Sequence, residues 1–248
     1  MHSTGSIIRF VLIMTSVVAL LLAGLQNGLK STHELNESLY SKKATLAAVA
    51  NHIEGDFESI SDDQVQTIFE NQVKQLVVDN SGKLYEKEEL IELGVKGGLA
   101  ENIDLGKENK KDVSERLMPL YEYTKGDGST YYILYTRGKG LWDEIWGNIA
   151  LESDLSTIAG VSFDHKQETP GLGAEIKDNK SWVRQFIGKK IYTPEGEYKS
   201  VYVRKGGAKD DTYEVDGISG ATITADGVSD MLKEDLKAYE PYFKSLKS

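Results

Sequence analysis

The sequence contains no cysteine in 248 residues. That absence excludes disulfides, thiolate catalysis, cysteine-held iron–sulfur clusters and cysteine zinc sites. Histidine is nearly as scarce, with His2, His33, His52 and His165 at no spacing that suits a metal ion. The GxGxxG, GxxxxGKS/T, HExxH and GxSxG signatures are all missing, so no dinucleotide fold, P-loop, zinc protease or serine hydrolase is indicated. Without thiols or metal ligands, redox chemistry here requires a bound cofactor. No period of 20–50 residues repeats, and no low-complexity linker divides the chain.

Acid is missing from residues 1–29, which carry only Arg9; the rest of the chain holds 28 basic against 39 acidic residues. So acidic a body repels phosphate backbones and anionic headgroups, which argues against a nucleic acid partner. The run from Phe10 to Leu25, FVLIMTSVVALLLAGL, has no charge. With its flanks it supplies the roughly 20 apolar residues that a helix needs to cross a bilayer. Arg9 and Lys30 stand at its ends, where their long side chains can reach the interfaces. A cleaved signal peptide is the competing reading, but Leu21-Leu22-Ala23-Gly24-Leu25 lacks a small-x-small cleavage pattern. An uncleaved single-pass anchor is expected, and Lys30, Lys42 and Lys43 opposite Arg9 leave its orientation open.

Beyond the anchor, Ser31 or Thr32 is placed to cap a helix through Leu35, Leu39, Leu46, Val49 and Ile53, and a second helix is predicted from Ser61 or Asp62. Strands are predicted at 75–79, 120–123, 131–136, 145–151, 158–163 and 199–204, with a hairpin turn at Gly126-Asp127-Gly128. A final helix runs through Val228, Met231, Leu232, Leu236 and Tyr239. Strands mixed with helices, without regular βαβ alternation, give an α+β class with a mixed or antiparallel sheet. The expected division is 1–29 as anchor, 30–116 as a mainly helical lobe and 117–248 as the sheet domain.

Three glycine-bearing clusters are candidates for contact with a flat ligand. In Asp216-Gly217-Ile218-Ser219-Gly220-Ala221-Thr222, small residues precede the last helix, where backbone N–H groups and the helix dipole suit a phosphate. The plainer reading is a capping turn with Ser219, Thr222 or Thr224 as N-cap. Glu168-Thr169-Pro170-Gly171-Leu172-Gly173 reads as a turn on its own, and His165 before it is given no catalytic role. Gly138-Lys139-Gly140-Leu141-Trp142 reads equally as a loop ahead of a core tryptophan. Lys205-Gly206-Gly207 follows a strand and can offer N–H donors and a positive charge.

GKGLW, ETPGLG and DGISGAT, in this order along residues 138–224, resemble the motifs of the FMN-binding domains in Na+-translocating NADH:quinone reductase and the related Rnf complex. The length of the stretch before residue 117 sides with the C subunit of the reductase over the G subunit of the Rnf complex. The resemblance implies FMN joined through its phosphate to Thr222 as a phosphoester, installed by a flavin transferase acting on FAD. It implies further cofactor contacts from Ser219, Gly220, Ala221, Glu168, Thr169, Gly171, Leu172, Gly173, Leu141 and Trp142, to which the position of Lys205 and Gly206 after a strand adds contacts to the phosphate or ribityl chain. It also implies partner membrane subunits, an electron-carrying role between NADH and ubiquinone with Na+ export, and a soluble domain outside the cytoplasmic membrane. No metal is expected.

Overall fold

The computed structural model describes residues 4–247; Met1, His2, Ser3 and Ser248, with the extreme end of the anchor segment, lie outside the described residues. The chain divides into two compact units, residues 1–41 and residues 42–248.

The first unit is helical. Helix α1 spans Thr4–Ala47 and is the one helix among the described residues long and apolar enough to cross a membrane. Ile7, Phe10, Leu12, Leu20, Leu21, Leu22 and Leu25 are all exposed on it, as a lipid-facing helix requires and a water-facing one does not tolerate. The helix expected to begin at Ser31 or Thr32 is not separate. Residues 30–47 contain neither glycine nor proline, so nothing stops α1 until Ala47.

The second unit is built on a five-stranded sheet: β1 (Val73–Val78), β2 (Met118–Thr124), β3 (Thr130–Lys139), β4 (Glu144–Leu151) and β5 (Ile158–His165). The strands lie in chain order and every neighbouring pair is antiparallel. Because β1 pairs with β2, the sheet takes a strand from each side of residue 116. The turn at Lys125–Ser129 closes where glycine and aspartate predict it, with Gly128 at φ 88° and the Asp127 carboxylate accepting the Ser129 N–H.

Alternation along the strands buries both faces. Leu120, Leu134, Ile149, Val161 and Phe163 face one apolar cluster, while Tyr121, Tyr123, Ile133, Ala150 and Ala159 face another. The second cluster is covered by Leu46, Val49, and by Val65 and Phe69 of helix α2 (Asp62–Gln72), with Leu90 of the short helix α3 (Lys87–Glu92). Ser61 starts α2 with a capping box: its hydroxyl accepts the Gln64 N–H while the Gln64 side chain accepts the Ser61 N–H. A further short helix, α4 (Leu105–Glu108), precedes β2.

After β5 come the short helices α5 (Glu175–Asp178) and α6 (Lys180–Arg184), then a separate two-stranded parallel pair, β6 (Tyr202–Arg204) and β7 (Glu214–Asp216). The strand expected at 199–204 is thus shorter, because Ser200 sits at φ 70° in the left-handed region and breaks the extended run. Helix α7 (Thr222–Ala238) lies across the sheet and puts Val228, Met231, Leu232 and Leu236 into the first cluster; α8 (Glu240–Lys247) closes the chain. These four residues recur at helical spacing, which is why α7 was legible and why its opposite face, with Thr222, Asp226 and Asp230, stays in solvent.

Candidate functional site

Gly140, at the end of β3, and the loop after β5 meet the first turn of α7, and one buried carboxylate joins them. Glu168 is 5% exposed. Its Oε1 accepts the backbone N–H of Trp142 at 3.0 Å, and its Oε2 accepts the hydroxyl of Thr224 at 2.7 Å. Two glycines make room for it: a Cβ on Gly140 would stand 2.4 Å from Oε1, and one on Gly173 would stand 2.1 Å from Oε2. All three sequence clusters therefore converge on one side chain. Glu168 is held from behind as well, since its own N–H donates to His165 Nδ1 at 3.2 Å.

The loop residues around this joint expose apolar surface. Leu141 is 44% exposed, Trp142 64%, Leu172 41% and Ile223 58%. The alternative reading of Trp142 as a core residue is corrected: its backbone is tied to Glu168 while its indole stays outside, with Nε1 donating to Thr169 Oγ1 at 3.2 Å. Gly171, at φ 74°, turns the loop so that the Ala174 N–H reaches the Thr169 carbonyl. Leu172 then leans on the glycine turn before α7, where a Cβ on Gly220 would lie 2.7 Å from Leu172 Cδ2.

That turn determines how α7 begins. Gly220 has φ 74°, Ala221 is the N-cap, and no side chain bonds to the first-turn N–H groups. The capping reading of Ser219, Thr222 or Thr224 is thereby corrected. Ser219 lies too early and exposed, Thr222 is already the first helical residue, and the Thr224 hydroxyl is spent on Glu168. What remains is an uncapped helix start whose first residue, Thr222, is exposed. Unsatisfied N–H groups and the positive end of the helix dipole converge there, which favours an anion. Lys205, Gly206 and Gly207 line the same cleft as Ser219, Gly220 and Thr222, together with Asp216 and Asp226. Asp216 is engaged in shaping that wall, its Oδ1 accepting the Ala208 N–H at 2.8 Å.

Of the site residues expected from the sequence, Trp142 and Gly173 meet Glu168, Thr169 meets the Trp142 indole, Leu172 meets Gly220, and Lys205, Gly206, Ser219, Gly220 and Thr222 line the cleft at the start of α7. Sequence reasoning missed Thr224 as the partner of Glu168, Gly140 as the space for it, and His165 as acceptor of the Glu168 N–H. No group of three or more potential metal ligands occurs among the described residues.

An exposed hydroxyl at an uncapped helix start, beside glycine-lined backbone and four exposed apolar side chains, fits a ligand with an anionic end and a flat apolar body. The FMN-binding domain family matches residues 140–237. The C subunit of the Na+-translocating NADH-quinone reductase of Pseudomonas aeruginosa is 30% identical over 93% of this chain and 90% of its own length. Its counterpart in Pasteurella multocida is 26% identical over 99% of this chain and 95% of its own. The crystal structure of the corresponding protein from Parabacteroides distasonis superposes with a TM-score of 0.71 at 33% identity, covering 86% of this chain and 96% of that one. The chain belongs to the family of the C subunits of the Na+-translocating NADH-quinone reductases.

Proposed function

We infer that this chain is a membrane-anchored electron carrier of a Na+-translocating NADH:ubiquinone reductase, holding FMN as a phosphoester on Thr222. The observation that supports this most is the start of α7, where Thr222 is exposed, uncapped N–H groups surround it, and no side chain competes for them. In the attachment reaction the Thr222 Oγ–P bond forms, the pyrophosphate bond of FAD breaks, AMP leaves, and the hydroxyl proton passes to a base. A threonine hydroxyl is a weak nucleophile, so a separate flavin transferase with its metal supplies the activation.

Bound FMN supplies one-electron chemistry that no side chain here provides. The residues of the chain hold and orient it. The first-turn N–H groups of α7 and the Lys205 charge would hold the phosphate, with Gly206 and Gly220 leaving backbone accessible in the same cleft. The exposed Leu141, Trp142, Leu172 and Ile223 would supply apolar contact to the flavin ring system. A phosphoester tether keeps the cofactor in place through changes of redox state.

Helix α1 anchors the chain in the cytoplasmic membrane of a bacterium, with residues 42–248 on its outer side beside the other membrane subunits. The acidic body does not engage nucleic acid. Thr222→Ala tests the assignment. Co-expressed with a flavin transferase, the native chain gives a fluorescent band on a denaturing gel and the variant gives none, with its circular dichroism unchanged. A band that persists in Thr222→Ala overturns the acceptor, and a native chain without one leaves an anchored assembly domain.

A further inference from the structure

Glu168 is an acid in an unusual position. It is nine-tenths buried, yet it forms no ion pair with any described lysine or arginine; only the Trp142 N–H and the Thr224 hydroxyl answer its two oxygens. A buried carboxylate without a cation is costly to keep, and an isosteric amide would serve the same architecture. Glutamine at 168 could accept from Trp142 through its oxygen and donate to Thr224 through its nitrogen, because a hydroxyl both donates and accepts. The joint therefore does not require the charge.

Its location suggests what the charge does. Oε1 is one hydrogen bond from the backbone of Trp142, whose indole is exposed, and Oε2 is one hydrogen bond from Thr224, two residues beyond Thr222. Gly140 and Gly173 both lack side chains that would separate the carboxylate from its neighbours. A fixed negative charge in such a low-dielectric, water-poor position opposes the arrival of an electron nearby.

We propose that the Glu168 carboxylate is a positioning and tuning residue: it fixes Trp142 against the first turn of α7 and holds the reduction potential of the flavin down by its charge. This rests on the reading that FMN sits at Thr222. The charge favours the oxidised cofactor, so removing it makes electron uptake easier, while removing only a hydrogen bond does not.

The test uses the full chain in detergent, co-expressed with a flavin transferase, and follows the flavin by visible absorbance during a redox titration. Glu168→Gln keeps the covalent flavin and the fold, and its one-electron reduction equilibrium shifts toward the reduced form at least tenfold, a rise of about 59 mV. Thr224→Ala keeps the charge and removes the hydroxyl, so its stability falls but its potential does not rise. A flavin-loaded Glu168→Gln chain with an unchanged potential refutes the proposal, as does an equal rise in Thr224→Ala, which would assign the effect to structure. If Glu168→Gln takes no flavin while Thr224→Ala does, the charge acts in assembly and the tuning role is wrong. A native chain without covalent flavin would instead refute the attachment at Thr222.

Discussion

Two glycines in one loop, Gly171 and Gly173, are glycine for different physical reasons, and alanine at each separates them. At Gly173 the backbone is unstrained but the space is taken: a Cβ would meet Glu168 Oε2 at 2.1 Å and Thr224 Oγ1 at 2.7 Å. Glu168 would have to move, breaking its bond to Thr224 inside a packed core. Overpacking costs about 1–3 kcal/mol, and a buried polar group left unpaired costs about 1–3 kcal/mol more. The sum for Gly173→Ala is roughly 2–6 kcal/mol. At Gly171 the space is open, with nothing within 4 Å, and only φ at 74° resists a side chain. That conformation costs about 1–2 kcal/mol for an L-residue. In a body of this size each kcal/mol moves Tm by about 2–4 °C. Thermal unfolding by near-ultraviolet circular dichroism should show Gly173→Ala lowered by roughly 4–24 °C and Gly171→Ala by roughly 2–8 °C, with the former the larger. Equal stability of the two variants, or a more stable Gly173→Ala, would refute the claim that Glu168 is locked between the three loops.

Other perturbations read different parts of the body. Asp235 on α7 accepts the Arg137 N–H at 2.6 Å, and burial pushes its carboxyl up to about 6, against the opposing effects of that bond and of Arg116. A carboxyl raised in the folded state contributes stability below its unfolded value that is lost as pH rises through the folded one. Native stability should therefore fall between about pH 4 and 6 from this group, and Asp235→Asn should flatten that slope in urea titrations and gain up to about 2 kcal/mol at pH 7.5. Lys42 is 8% exposed, pairs with Glu101 at 3.2 Å and donates to Gln66 at 3.0 Å. Lys42→Ala leaves Glu101 as an uncompensated half-buried charge and should cost about 3 kcal/mol in chemical unfolding; a loss below about 0.5 kcal/mol would show that the pair is immaterial.

Much of this architecture could be read from residues alone, and the parts that could not share a cause. Period-two alternation and the Gly126-Asp127-Gly128 turn located β2 to β5, and the spacing Val228, Met231, Leu232, Leu236 located α7. These signals are local. The continuity of α1 was hidden because Ser31 and Thr32 are good caps, whereas the decisive fact is the lack of any breaker before Ala47. Ser200 was hidden too, since its left-handed conformation carries no glycine to announce it. In the site, the motif positions were legible by resemblance, but the joint between them was not. Glu168 meets Trp142 across 26 positions and Thr224 across 56, and no local pattern encodes a contact of that range. The capping expectation failed for the same reason: Thr224 has a distant partner, and Gly220 turns the chain before Ser219 can reach the helix.

The central claim is a covalent bond at Thr222, and peptide mass spectrometry tests it most directly. Trypsin releases Asp210–Lys233, which also contains Ser219 and Thr224 as rival hydroxyls. From a host with an active flavin transferase, that peptide should carry the mass of one FMN phosphoester, and fragmentation should place it on Thr222. An unmodified peptide, or an adduct on Ser219 or Thr224, would contradict the account.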